Sequence, residues 1–221
     1  MFQDNYKHRG LRRALVKTLQ KKGIEDSRVL YAMNKVPRHV FFDQAFLEHA
    51  YQDKAFPIGE GQTISQPYTV AVQSSLLEIK PGDKVLEVGT GSGYQCCILV
   101  ELGAKVHTIE YVESLHQKAK QILPQLGYRA HFVFGDGSKG LKSFAPFDKI
   151  VVTAGAPIVP KPLIDQLKEN GIMVIPVGDE KKQEMVTIKK TADNKLIRKT
   201  HNYFSFVPLV GAEGWQPFNK N

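Results

Sequence analysis

Glu87-Val88-Gly89-Thr90-Gly91-Ser92-Gly93 is the stretch on which the fold turns. Val85-Leu86-Glu87-Val88 is β-rich, and residues 95–102 read as a helix, so the glycines fall on a strand–turn–helix junction. Glycine lets backbone pass close to a ligand, and a helix N-terminus offers unpaired N–H groups. A turn without a ligand is the plain alternative, but this context favours a ligand loop. The dinucleotide fingerprint G-x-G-x-x-G is not met, because its last glycine would fall on Tyr94 and the glycine comes one residue early, at Gly93. Glu87, so close to the first glycine, would also face a pyrophosphate unfavourably. The spacing argues against a dinucleotide.

Downstream, short β-rich runs alternate with helical stretches. Strands are predicted over 105–109, 130–134, 149–152 and 172–175, and helices over 113–126 and 163–169. Such alternation implies a mostly parallel sheet covered on both faces. Residues 186–189, 196–200 and 204–207 then read as strands without helices between them, hence an antiparallel edge. Open sheets of this kind bind ligands along the carboxyl ends of their strands. Glu110, 21 residues after Gly89, can accept both hydroxyls of a ribose there. Asp136, within Gly135-Asp136-Gly137, can accept from an adenine amino group. Singly, Glu110 could be a surface charge and Asp136 a turn residue; together with the glycine loop they point to one site.

Upstream, residues 1–52 read as helical. Leu11, Leu15 and Leu19 share a face, and Gly23 ends the run. Asp26 or Ser27 can cap a second helix carrying Val29, Leu30, Met33 and Val36, stopped by Pro37. A third short helix is expected around Phe42, Ala45, Phe46 and His49. Residues 57–67 hold too much glycine and proline for a helix interior or a central strand. Pro67 suits the first turn of a helix running to about Leu77, and Ser65 reads as a cap ahead of it.

The 221 residues are 42% apolar and 24% charged, a globular composition that excludes disorder and fibrous repeats. The net charge of +8 raises the prospect of an acidic partner, but the basic residues are scattered rather than blocked. No apolar run approaches the ~18 residues of a membrane span, and Met1-Phe2-Gln3-Asp4-Asn5 does not begin an export signal. Cys96 and Cys97 are adjacent and cannot form an ordinary disulfide with each other; packing behind the loop is their expected role. The histidines show no metal-ligand spacing, so no metal is expected. A cytoplasmic protein without membrane partners is the default reading.

G-x-G-x-G after an acidic residue resembles the S-adenosylmethionine loop of Rossmann-like methyltransferases, whose ligand carries no phosphates. Over residues 11–210 the chain resembles one family closely, protein-L-isoaspartate O-methyltransferase. The resemblance rests on Gly61-Gln62-Thr63-Ile64-Ser65-Gln66-Pro67, residues 86–94, Gly135-Asp136-Gly137, Ala145-Pro146-Phe147-Asp148, Val152-Thr153-Ala154-Gly155-Ala156 and Ile175-Pro176-Val177-Gly178. The G-x-x-I-S-x-P run ahead of a methyltransferase core is its specific part. The resemblance implies a Rossmann-like, doubly wound, mostly parallel α/β sheet with an antiparallel C-terminal edge and an N-terminal helical segment. One domain is expected, with helices and the serine loop over 1–80, the cofactor core over 81–178 and C-terminal strands over 179–221. It implies S-adenosyl-L-methionine as cofactor, held by Gly89, Thr90, Gly91, Ser92, Gly93, Glu110, Asp136 and Gly137. Ser65 is then the catalytic serine, and Thr63, Ile64, Ser65, Val207 and Leu209 contact substrate. After Gly211 the chain departs from the family pattern.

The implied reaction is methyl transfer to the α-carboxyl of L-isoaspartyl residues in damaged proteins and peptides. An α-carboxyl ordinarily titrates at ~3.3–3.7, so at neutral pH it is already an anion and needs no base. Ser65 would position it as a hydrogen-bond donor, in a cleft that takes an extended peptide through its backbone. No nucleic-acid partner is expected, and a monomer is the default assembly. Two rivals stay open. One is an RNA methyltransferase, raised by the +8 charge and by basic runs such as Lys181-Lys182; it would need a coherent basic face. The other holds the cofactor without turnover.

Overall fold

The computed structural model describes residues 4–216. Helix α1 (Tyr6–Lys21) starts at Asn5, whose side chain accepts the His8 N–H, and buries Leu15 and Leu19. Leu11 stays 39% exposed, and Arg12 takes the inner position beside it, paired to Asp4 through both carboxylate oxygens at 3.0 and 2.9 Å. Asp4, His8 and His39 lie close enough together to suit a cation, but that ion pair commits the Asp4 carboxylate to the guanidinium. Asp26 rather than Ser27 caps α2 (Ser27–Lys35), accepting from the N–H groups of Arg28 and Val29. Val36 is extended ahead of Pro37, as the clash with the proline ring demands. The expected third helix is instead two 3-10 turns, Arg38–Phe41 and Gln44–His49.

The glycine-rich stretch forms an antiparallel hairpin apart from the main sheet, β1 (Phe56–Gly59) and β2 (Gln62–Ile64). Glu60 and Gly61 turn its tip with φ of +54° and +68°. Helix α3 (Pro67–Leu76) follows directly.

The rest alternates as expected: β3 (Lys84–Val88), α4 (Tyr94–Glu101), β4 (Lys105–Glu110), α5 (Glu113–Gln125), β5 (His131–Phe134), β6 (Phe147–Val152), α6 (Lys161–Gln166), β7 (Leu167–Gly178), β8 (Gln183–Lys190) and β9 (Leu196–Phe204). These strands make one seven-stranded sheet in the order β5-β4-β3-β6-β7-β8-β9. Pairing is parallel from β5 to β7 and antiparallel for β8 and β9. From β3 the chain works outward to β5, then crosses back to lay β6 on the other side of β3. The connections after β3 and β6 therefore part, and a crevice opens at their carboxyl ends.

Side chains alternate across the sheet. Leu86, Val88, Ile150, Val152, Met173 and Ile175 join the apolar cluster on one face. Val85, Val151 and Val174 pack with Val70, Ile98 and Leu99 on the other. Glu87 shares the second face, beneath α4, where Cys96 and Cys97 are both buried.

Two boundaries differ from expectation. The helix predicted over 163–169 ends at Gln166, whose side chain accepts the Leu141 N–H at 2.7 Å and donates to the Lys139 carbonyl at 2.8 Å; Leu167 already pairs with Phe147 in the sheet. The strand predicted over 204–207 does not form, because the Phe206 N–H goes to the Gln183 side chain at 2.8 Å instead of to a neighbouring strand. Among the described residues, no helix is long and apolar enough to cross a membrane.

Candidate active site

The glycine loop after β3 is shaped by Gly89, Gly91 and Gly93, with φ of +96°, +52° and +87°, values that side chains with a Cβ resist. Its N–H groups are largely spoken for inside the protein. Gly89 donates to the Ile109 carbonyl, Gly93 to the Thr90 carbonyl and Tyr94 to the Ser92 hydroxyl. The Gly91 N–H donates to Glu110 Oε2 at 2.7 Å, and the Val112 N–H to Glu110 Oε1 at 2.9 Å. The carboxylate at the end of β4 thus fixes the loop from the side. Thr153, at the end of β6, fixes it from the other, its hydroxyl set between the carbonyls of Val88 and Gly89. A pyrophosphate would find few free donors here, and a carboxylate in its way.

Glu87 does not face the crevice. Its Oε2 accepts the Thr108 hydroxyl at 2.6 Å, and Thr108 is in turn 2.6 Å from the Thr90 hydroxyl. Either threonine hydroxyl can donate to the other. Burial pushes the Glu87 carboxyl up to about 8, so at neutral pH it is mainly the uncharged acid. The expected clash with an anionic ligand gives way to a neutral prop beneath the loop.

A cavity of about 380 Å³ lies over these strand ends, within the ~300–1,000 Å³ of small-molecule sites. Of the residues expected to hold a cofactor, Gly89, Thr90, Gly91, Ser92, Glu110 and Gly137 line it. Gly93 and Asp136 do not: Gly93 serves as N-cap of α4, and Asp136 is occupied elsewhere. Its Oδ1 accepts from the N–H and hydroxyl of Ser138, and its Oδ2 from the Ala212 N–H at 2.9 Å. Burial raises this carboxyl, but the Ala212 and Ser138 donors outweigh it and hold the group below the usual carboxylate range. Asp136 therefore anchors the C-terminal segment, and Gly211 must pass so near that a Cβ there would strike its carboxylate. Gly137 packs equally tightly, with a Cβ set to meet Val88 at 2.6 Å. Val88, Ile109, Tyr111 and Val112 supply the apolar walls.

A second cavity, of about 750 Å³, opens beside the first and shares Thr63, Ser65, Thr153 and Val207 with it. The remaining expected substrate residues, Ile64 and Leu209, line the first. Segment 207–209 is held there by main-chain bonds to Gly155: Gly155 donates to Val207 and Leu209 donates back, each at 2.8 Å. The Trp215 indole N–H adds a bond of 3.0 Å to the same Gly155 carbonyl. Ser65 does not cap α3; the N-cap is Gln66, and the Ser65 hydroxyl bonds to no other described residue. Sequence reasoning gave no role to Thr153, although it ends the strand beside the crevice. It also passed over Arg38, which is fully buried and donates to the Ser65 carbonyl at 2.9 Å.

A sequence profile described as protein-L-isoaspartate(D-aspartate) O-methyltransferase (PCMT) matches residues 10–214. The chain belongs to this family. A protein-L-isoaspartate O-methyltransferase of Cytophaga hutchinsonii is 60% identical over 213 residues, which is 96% of each chain. Among solved structures, a protein-L-isoaspartate O-methyltransferase superposes with a TM-score of 0.82 at 30% identity, over 92% of this chain and 67% of the other. A further one, described as a protein-L-isoaspartate O-methyltransferase of Plasmodium falciparum in complex with S-adenosyl-L-homocysteine, gives 0.78 at 26% identity, over 90% and 98%. The mostly parallel sheet with an antiparallel edge is the family's fold.

Proposed function

We propose that this enzyme transfers the methyl group of S-adenosyl-L-methionine to the α-carboxyl of L-isoaspartyl residues in damaged proteins and peptides. One observation carries the reading beyond family membership: the two adjoining cavities are lined by opposite charges. The first has the carboxylates of Glu60 and Glu110 and no lysine or arginine among its described lining residues. The second has Lys181 and Lys182 and no carboxylate. A cationic donor beside an anionic acceptor suits that division.

The first cavity fits the donor on its own geometry. Glu110 spends one lone pair of each oxygen on the loop, and a carboxylate keeps further acceptor sites for ribose hydroxyls. The close packing at Gly137 and the apolar walls leave a slot for a flat base, and no phosphate has to be accommodated. Bound there, S-adenosylmethionine supplies an electrophilic methyl group on a sulfonium cation. We assign its contacts to Gly89, Thr90, Gly91, Ser92, Glu110 and Gly137, with Gly93 and Asp136 shaping the site from behind.

The protein's own part is positional. Ser65 sits at the junction of the cavities with a free hydroxyl, able to donate to one carboxylate oxygen and aim the other at the methyl carbon. Thr63, Ile64, Val207 and Leu209 wall the acceptor and limit water. Orientation of this kind is worth up to ~7–11 kcal/mol, and transfer between opposite charges gains from a dry site. No proton has to move, and none of the described residues lining the first cavity is a histidine, cysteine or lysine. The reading includes a cytoplasmic enzyme acting on proteins rather than nucleic acid. Its test is methyl-labelled donor offered with an isoaspartyl peptide and with its normal aspartyl twin. Label is expected in the isoaspartyl peptide alone; equal labelling of both would overturn the proposal.

A further inference from the structure

Arg38 is fully buried, yet no carboxylate lies within ion-pair distance of it among the described residues. Its Nε donates to the Ala50 carbonyl at 3.0 Å and one terminal nitrogen to the Ser65 carbonyl at 2.9 Å, while the other terminal nitrogen, Nη1, has no hydrogen-bond partner. The guanidinium lies 4.7 Å from the ring centre of Tyr94 and 5.3 Å from that of Phe42. Tyr94 opens the helix behind the glycine loop and lines the first cavity.

A buried charge with no carboxylate at ion-pair distance costs several kcal/mol, which carbonyl bonds, aromatic faces and the more distant Asp53 carboxylate only partly offset. A strut between Ala50 and Ser65 would need donors but not a charge. Burial lowers the Arg38 pKa only to about 10, so the cation persists at neutral pH. Its field reaches the neighbouring crevice through protein rather than water, where charges act most strongly. We propose that Arg38 is the positioning residue that holds Ser65 by its carbonyl and that its unpaired charge makes the acceptor site select a carboxylate over a neutral group. The proposal rests on Ser65 being the acceptor contact. It places a cation beneath Ser65, where the two cavities meet, in the same sense as Lys181 and Lys182 of the second.

The experiment compares an isoaspartyl peptide with its α-carboxamide analogue, used as a competitive inhibitor, in wild-type enzyme and in Arg38→Met and Arg38→Lys. In Arg38→Met the Michaelis constant for the carboxylate peptide is expected to rise about tenfold, ~1.4 kcal/mol. The inhibition constant of the amide and the dissociation constant of the donor should each change by less than about twofold, and Arg38→Lys, which lacks the planar fork and shifts its pKa readily when buried, should regain only part of the loss. Should Arg38→Met fail to fold, as donor binding would reveal, Arg38→Gln serves as the neutral variant. Equal weakening of carboxylate and amide would reduce Arg38 to a strut and overturn the proposal. Wild-type enzyme that leaves the isoaspartyl peptide unmethylated would instead remove the functional reading itself, and the proposal with it.

Discussion

The two cavities are built in different ways. The donor side is local: its loop, Glu110 and Gly137 end consecutive parallel strands, and main-chain atoms do most of the shaping. The acceptor side is assembled from distant pieces, with Ser65 between the hairpin and α3, before the sheet, and Val207 past its last strand. What joins them is a set of buried side chains, Arg38, Gln73 and Gln183, reaching across the core. Gln73, fully buried on α3, donates to the Val152 carbonyl at 2.8 Å, and so fixes the helix that follows Ser65 to the end of β6. A donor site made of strand ends is a property of the sheet; an acceptor site held by long side chains is a property of single residues. Substitutions should separate the two.

The largest effect is expected from Glu110→Ala on the donor side. It removes a charged acceptor from two loop N–H groups as well as from the ribose, so donor affinity should fall about a hundredfold, roughly 3 kcal/mol. Calorimetric titration checks this, and unchanged affinity would break the comparison at its base. On the acceptor side, Gln183→Ala orphans the buried Phe206 N–H and should cost about 2 kcal/mol of stability. Thermal melting should drop by several degrees, with peptide affinity falling more than donor affinity. Ser65→Ala should lower turnover on an isoaspartyl peptide about tenfold, ~1.4 kcal/mol, the size of one hydrogen bond, with donor affinity retained; equal rates for mutant and wild type would remove Ser65 from its role.

The smallest effect, at acid pH, is expected from Glu87→Gln. With its carboxyl raised to about 8, Glu87 binds its proton more tightly in the folded state than in the unfolded one. That contribution is complete below the ordinary carboxylate range and is lost progressively as pH rises toward 8. Glutamine, neutral throughout, should change stability below about pH 4.5 by less than ~1 kcal/mol while flattening its decline between about pH 4.5 and 8. Denaturant titrations across that window decide the point, and an unchanged slope would mean that Glu87 is ionised beneath the loop.

How far the sequence could be read follows the same division. Val85–Val88, the glycines and Glu110 were legible because a strand, a tight turn and a strand end each leave a local signature. Asp136 sat in an equally plausible motif, yet its carboxylate went to the Ala212 N–H, a partner 76 positions away that no local pattern announces. The hairpin at 56–64 was missed because glycine and proline obscure strand propensity, and its pairing spans only three residue pairs. Strand 204–207 failed because a buried glutamine from β8 outcompeted sheet pairing for the Phe206 N–H. Arg38 reads as an ordinary basic residue until burial strips it of solvent and counterion.

Trp215 is the chain's single tryptophan, and its indole is tied to the Gly155 carbonyl that also secures segment 207–209. Ultraviolet emission excited at that indole therefore comes from one spot, the clasp over the acceptor wall. A shift or quench on adding peptide would give a label-free titration of that wall alone, separable from the donor titration followed by heat.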